Sequence, residues 1–451
     1  MSKDTFGLVD KARDELVKRF LRRKSADHGV AVAPTAPQSG SKWSKIPDAF
    51  YRFDRFPGYE KLLIPLAAAS RLGLANPFFK THEGVAGATT QIDGRVFINF
   101  SSYNYLGLAG HPRVNKAAKD AIERYGTSAS ASRLVAGERH IQRELEESLA
   151  ALYEVADCIV FVSGHATNVT TIGHLFGPRD LVIHDSLVHN SVLEGIKLSG
   201  AARRSFPHND PAALDAILNE IRGQFERVLI VIEGLYSMDG DVPELPRFID
   251  IKKRHKAFLM VDEAHSLGVL GETGQGIREH YGIAGNEVDI WMGTLSKTFA
   301  GCGGFIAGER ALIEHLKYAA PGFVYSVGIS PPLAAASLEA LRILREEPER
   351  VGRLRERSNY LLERAREYGI DTGLSQGHAI VPAIIGSSLK AAKISNQLFD
   401  HGINVQPIIY PAVEERAARL RLFVSSLHTE SQLRSAVETL AGLLFGVRKN
   451  P

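Results

Sequence analysis

Between about residues 113 and 310 the hydrophobic positions fall into short unbroken runs, separated by stretches whose apolar residues recur at helical spacing. Runs at 158–162, 181–183, 228–233, 257–262, 289–293 and 304–307 predict strands covered on both faces. A strand with one wet face would alternate instead. Helices are predicted around 140–153, 191–199, 211–222 and 245–255. Strand and helix in turn predict an α/β fold with a mostly parallel sheet between helices. A further strand is expected at 95–99, RVFIN. After 330 the pattern turns helix-rich, with strands expected at 379–385 and 420–424. The expected organisation is therefore a basic helix and flexible linker over 1–42 and an N-terminal segment over 43–110. A large domain over 111–330 and a smaller α+β domain over 331–451 follow.

Residues 8–24, LVDKARDELVKRFLRRK, place Leu8, Ala12, Leu16 and Phe20 every four residues, with Val17 and Leu21 beside them. That spacing predicts a short basic amphipathic helix. Such a helix either packs on its own domain or docks on an anionic membrane surface or an acidic carrier protein. Residues 25–42 are polar and carry Pro and Gly, as a mobile linker does.

Composition narrows the function classes. The 54 Lys+Arg against 51 Asp+Glu give +3, too balanced to argue for nucleic acid. No apolar run approaches the ~20 residues of a membrane span. Two cysteines, Cys158 and Cys302, exclude a disulfide-stapled scaffold and a Cys-rich metal site. The N-terminus shows no apolar signal core followed by a small-residue cleavage site, so a cytoplasmic chain is expected.

Four stretches carry chemistry. In 293–304, GTLSKTFAGCGG, Lys297 follows a strand among small and hydroxyl residues. Crowding favours the neutral amine, and small neighbours leave room for a planar ring, which suits a Schiff-base lysine as well as a plain surface one. In 259–265, LMVDEAH, Asp262 ends an apolar strand and points into the crevice above the sheet. Buried there, it either caps the next helix or meets a cation such as a protonated pyridine nitrogen. In 161–168, FVSGHATN, a strand passes through a Gly turn into a helix, offering backbone N–H groups to a phosphate. In 188–190, VHN, His189 is placed to stack on a flat cofactor.

Taken in this order, the four elements resemble one template, that of the α-oxoamine synthases among the fold-type I enzymes of pyridoxal 5'-phosphate (PLP). The resemblance spans about residues 78–447 and is supported by 102–108 SYNYLGL, 233–240 EGLYSMDG, Leu245-Pro with Lys252-Lys253, and 288–293 VDIWMG. Within the family the chain looks most like the catalytic-subunit type of serine palmitoyltransferase, and it also resembles oxoamine synthase modules of polyketide pathways. The resemblance implies a seven-stranded, mostly parallel sheet, PLP held by the 111–330 domain, no metal, and a homodimer with active sites at the subunit interface.

Roles implied by the resemblance follow position by position. Lys297 bonds the cofactor and later moves the substrate α-proton. Asp262 pairs with the pyridine nitrogen. His265 bonds the ring's phenolic oxygen, with Ser237 beside it. His189 stacks on the ring and contacts the amino-acid carboxylate. Gly164 and His165 form the phosphate turn, with Thr294 near the phosphate. Arg421 clamps the substrate carboxylate, a bidentate task that suits a guanidinium. Tyr103 stands where several relatives carry Asn; it agrees with the serine palmitoyltransferase type and takes the carboxylate through its hydroxyl, with Asn104 beside it as a second substrate-binding residue. Val327 and Gly328 replace a Thr-Ser pair in a segment that reaches the neighbouring subunit's phosphate, so either Ser326 substitutes or that contact is weaker.

The reaction expected from the resemblance is a decarboxylative condensation giving a 2-amino ketone like 3-ketosphinganine, CO2 and free thiol. L-Serine is the first choice of amino acid, with alanine and glycine behind it. The acyl donor is a long-chain thioester of CoA or of an acyl-carrier protein. The alternative is an 8-amino-7-oxononanoate synthase-like or polyketide-releasing enzyme using alanine or glycine. An aminotransferase is disfavoured by His189, and a scaffolding subunit by the presence of Lys297. A docking N-terminal helix would place the protein at the inner membrane face.

Overall fold

The computed structural model describes residues 46–71 and 73–446. The basic helix and linker expected over 1–42 lie outside the described residues. The chain divides at Ala68/Ala69 into two units. The described part of the first holds two 3-10 turns, Asp48–Phe50 and Phe53–Arg55, and most of the helix Pro57–Arg71. Among the described residues no helix is long and apolar enough to cross a membrane.

The second unit opens with a hairpin of Thr89–Ile92 (β1) and Arg95–Asn99 (β2). Asp93 and Gly94 join them with φ of 49° and 73°. Two successive positive φ values match the right-handed twist of the flanking strands, and Asp-Gly is a pair that tolerates them.

The large sheet contains Asp157–Phe161 (β3), Leu181–Asp185 (β4), Ala202–Phe206 (β5), Val228–Glu233 (β6), Phe258–Asp262 (β7), Ile290–Thr294 (β8) and Gly304–Gly308 (β9). Their spatial order is β3-β9-β8-β7-β6-β4-β5. All neighbouring pairs are parallel except the two that β9 makes with β3 and β8. The unbroken apolar runs have a direct cause in the packing. Along β6, Val228, Ile230 and Ile232 join one hydrophobic cluster, and Leu229 and Val231 join the cluster on the opposite face. The hydrophobicity pattern predicted six of these strands. The seventh, β5, reads ARRSF; it lies at the sheet edge with three consecutive exposed residues, so no apolar run marks it.

The C-terminal part adds Ile380–Ile384 (β10), Ile403–Asn404 (β11), Pro407–Ile408 (β12) and Arg419–Phe423 (β13). β10, β13 and β12 form a small antiparallel sheet, while β11 pairs in parallel with β2. The large sheet sets up the site through its register. Glu233 pairs with Asp262 and Asp262 with Met292; Thr294 pairs with Gly304 and Gly304 with Phe161. Chemistry-bearing residues therefore share one edge, at the carboxyl ends of β6, β7 and β8, where ligands of parallel sheets bind.

Candidate active site

Asp262 closes β7 and is buried. Its Oδ1 accepts the Ala264 N–H at 2.9 Å, and its Oδ2 accepts from Asn168 Nδ2 at 2.9 Å. Asn168 Nδ2 also donates to Ser191 Oγ at 2.9 Å, while Asn168 Oδ1 is buried without a partner among the described residues.

Lys297 stands on the loop between β8 and β9. The loop is closed on itself: Leu295 N–H donates to Gly303 O and Gly301 N–H to Leu295 O, both at 2.9 Å, and Ala300 N–H to Lys297 O at 3.1 Å. Burial pushes the lysine down to about 8, against the pull of Asp262 and Glu233 toward the charged form. Its Nζ lies 5.4 Å from the centroid of the Tyr103 ring.

The phosphate turn is a helix start. Ser163 caps the helix Gly164–Leu175 by accepting from Ala166 N–H. The N–H groups of Gly164 and His165 belong to the first turn, which has no intrahelical acceptor for them. Glycine is required where three elements touch. A Cβ on Gly164 would lie 2.8 Å from Thr294 Oγ1, and one on Gly304 would lie 2.5 Å from Thr167 Oγ1 and 2.7 Å from Gly164 Cα. Thr294 Oγ1 is 2.7 Å from Ser296 Oγ, so two hydroxyls border the turn.

His189 caps the helix Asn190–Ser199, with Nδ1 2.7 Å from Ser191 Oγ. Its main-chain N–H donates to Glu233 Oε1 at 2.6 Å. His265 is buried, and burial first, then Lys297 and Arg421, hold it well below the usual histidine range, so the ring is neutral. Its Nδ1 is 2.7 Å from Tyr105 Oη. The phenol meets no other acceptor among the described residues and therefore donates to Nδ1, which leaves the ring proton on Nε2. On β13, Arg421 Nη1 donates to Ser237 O at 2.9 Å and approaches Met238 Sδ at 3.6 Å. Its guanidinium carbon is 4.6 Å from the Phe423 ring centroid, and its Nε is buried without a partner among the described residues.

Lys297, Asp262, His265, His189, Gly164, His165, Ser237 and Thr294 all line one cavity of about 280 Å³. A second cavity, of about 610 Å³, shares Ser296 and Lys297 with it and is lined by Tyr103 and Asn104. Asn104 Nδ2 donates to Ala86 O and Ala109 O at 3.3 and 3.4 Å, and its Oδ1 accepts the Ala109 N–H at 3.1 Å, so its carboxamide braces the loop that presents Tyr103. Ser326 is not brought to either cavity; its Oγ donates to Val327 O at 3.2 Å. The glycine beside it has a steric cause. A Cβ on Gly328 would lie 2.7 Å from Arg133 Cγ and 2.9 Å from Gln142 Nε2, and Arg133 is itself locked by Glu138 and Glu146.

Glu233, Asn168, Ser191, Tyr105 and Ser296 are site residues the sequence reading did not single out. For Glu233 a signal existed: it ends an apolar strand as Asp262 does. The residues present fit PLP. An amine held near neutrality, an acid whose hydrogen bonds come from amides rather than from a cation, a neutral donor at His265 Nε2, and a crowded helix start beside two hydroxyls converge on one cavity.

Comparisons agree with this geometry. The family model for aminotransferase class I and II matches residues 95–440. An 8-amino-7-oxononanoate synthase of Symbiobacterium thermophilum is 41% identical over 350 residues, 78% of this chain and 89% of that protein. A serine palmitoyltransferase from S. paucimobilis, solved with bound PLP and myriocin, superposes with a TM-score of 0.82 at 28% identity, covering 86% of this chain and 97% of that one. An 8-amino-7-oxononanoate synthase from Francisella tularensis superposes with a TM-score of 0.66 at 25% identity over 76% and 97%. With a mostly parallel seven-stranded sheet, a lysine, acid and histidine at its carboxyl edge, and relatives of this kind along most of its length, the chain belongs to the α-oxoamine synthase family of fold-type I, PLP-dependent enzymes.

Proposed function

We propose that the chain joins the α-carbon of a small amino acid to the acyl carbon of a thioester, in the manner of the 8-amino-7-oxononanoate synthases. One carbon–carbon bond forms, the bond to the amino-acid carboxylate breaks to release CO2, and the carbon–sulfur bond breaks to release thiol. Alanine replaces serine as the first choice. The product named by the relatives carries its amine next to a terminal methyl, as alanine leaves it, and ends in a carboxylate. A relative 41% identical over 78% of the chain supports this reading more strongly than serine palmitoyltransferase structures at 28% identity support a serine and long-chain acyl reading. The second reading keeps one observation in its favour, Tyr103 lining the cavity beside Lys297.

Bound PLP supplies an electron sink for the negative charge left at the amino-acid α-carbon. Asp262 would hold the ring nitrogen in its charged form. The Gly164 and His165 N–H groups with the Thr294 and Ser296 hydroxyls would take the phosphate. His189 would cover the ring face, and His265 would donate from Nε2 to the ring oxygen. Lys297, neutral at mildly basic pH, takes the α-proton and returns it. Arg421 grips the carboxylate and so decides which bond stands in line for cleavage.

The cavity that gathers Lys297, Asp262, His265 and His189 carries the proposal. The test supplies the PLP-loaded protein with L-alanine, L-serine or glycine, each with a carboxylate-ended or a palmitoyl thioester, and follows free thiol and CO2. Joint release with alanine and the carboxylate-ended donor is expected. Release confined to serine and palmitoyl thioester would restore the second reading, and a keto acid without thiol would show transamination instead.

A further inference from the structure

Glu233 is a buried acid that the mechanism above leaves without a task. It is 3% exposed, ends β6 beside Asp262 and lines the same cavity as Lys297. Burial first, and the neighbouring Asp262 second, push its carboxyl up to about 8. Burying an acid beside another acid costs free energy unless its oxygens are well used. These oxygens reach two separate stretches of the cavity lining. Oε1 accepts the main-chain N–H of His189 at 2.6 Å, and Oε2 accepts that of Ser237 at 3.4 Å. The Ser237 carbonyl in turn accepts from Arg421 Nη1 at 2.9 Å, and the other contact of that nitrogen, Met238 Sδ, belongs to the same loop. The loop's root is fixed separately, by Gly234 N–H donating to Asp262 O at 2.8 Å. Glu233 thus ties the sheet edge to the stretch contacting Arg421, a stretch that Arg419 also holds from β13 through Met238 O and Asp239 Oδ1.

We propose that Glu233 is a positioning residue for amino-acid binding: one carboxyl that sets His189 on one stretch and Ser237, and through it Arg421, on the other. The group covering the cofactor face and the group gripping the carboxylate then keep a fixed spacing. The inference rests on the roles proposed above for His189 and Arg421.

Two variants separate the arms. Above pH 8, where the wild-type carboxylate is ionised and both oxygens accept, Glu233→Gln keeps an oxygen for His189 N–H but turns an NH2 toward Ser237 N–H, so the Arg421 arm is lost. In Glu233→Ala both arms are lost. Holoenzyme is titrated with L-alanine and L-serine while visible absorbance and visible circular dichroism of the bound cofactor are recorded, and PLP affinity is measured on the apoprotein. For Glu233→Gln, amino-acid Kd should rise about tenfold more than kcat falls, with PLP affinity and the dichroic band kept. For Glu233→Ala the dichroic band should change as well. Unchanged Kd and dichroism in both variants would overturn the proposal. So would parallel losses in Kd, kcat and melting temperature in Glu233→Gln, the mark of a merely structural residue. A wild-type protein that takes up no PLP, or whose spectrum ignores every amino acid, would sink the site reading itself and this inference with it.

Discussion

The Lys297 amine gives up its proton near pH 8 rather than 10.5 because the protein around it disfavours the ammonium. Below that pH the amine is charged and cannot attack an aldehyde; above it the amine is free. The rate at which apoprotein takes up PLP, followed by the growth of visible absorbance, should rise with a midpoint near pH 8. A midpoint near 10 would mean that burial has no effect. The same shift makes a stability statement. Between pH 8 and 10.5 the unfolded chain holds the proton and the folded chain does not, so this group's contribution to stability rises with pH. Glu233 acts in the opposite sense between 4.5 and 8, where the folded chain keeps a proton that the unfolded chain has lost. Lys297→Ala should remove turnover, by roughly 10²–10⁴-fold from lost proton transfer alone, measured as thiol release. Near-normal turnover would contradict the assignment. Asp262 stood out in the sequence because an acid ends an apolar strand, and Lys297 and His189 because each follows one within a few residues. Tyr105 did not, since its bond to His265 spans 160 positions and no local pattern announces it.

At the scale of elements, the helix start at Gly164 works only because β8 and β9 press against it. Gly304→Ala would drive a methyl into Thr167 and the Gly164 backbone. The expected result is a PLP Kd raised at least tenfold and a stability loss of about 1–3 kcal/mol from overpacking, measured by absorbance titration and denaturant melts. Gly223→Ala is the control, because a Cβ there meets nothing within 4 Å, and it should leave both unchanged or slightly improved. The apolar runs made β3, β4, β6, β7, β8 and β9 readable. β5 was hidden because ARRSF is a strand only by virtue of pairing with β4, and an edge strand needs no apolar face on its outer residues. The bracing bonds of Asn104 were hidden for a related reason: a polar residue in a motif reads as a ligand, and only the fold brings the carbonyls opposite it into view.

For the whole molecule, the class and the mostly parallel sheet were legible, since alternating buried strands and helices admit few architectures. Substrate identity was not. It depends on walls assembled from distant parts of the chain, with Tyr103, His189 and Lys297 arriving from different elements. The N-terminal basic stretch remains the proposed docking element for the acyl donor. Deleting residues 1–42 should weaken use of a carrier-bound acyl donor and leave the amino-acid Kd unchanged; equal kinetics in both proteins would dismiss that role. The single reversed strand has a consequence for how such a site comes into being. β8 and β9 are neighbours joined by residues 295–303, so the loop bearing Lys297 closes over a short stretch of chain at small entropic cost. Phe161 must instead find Gly304 across about a third of the chain before the phosphate turn can dock. Contacts of low sequence separation form first. The attachment point for the cofactor should therefore assemble early in folding and its phosphate seat late.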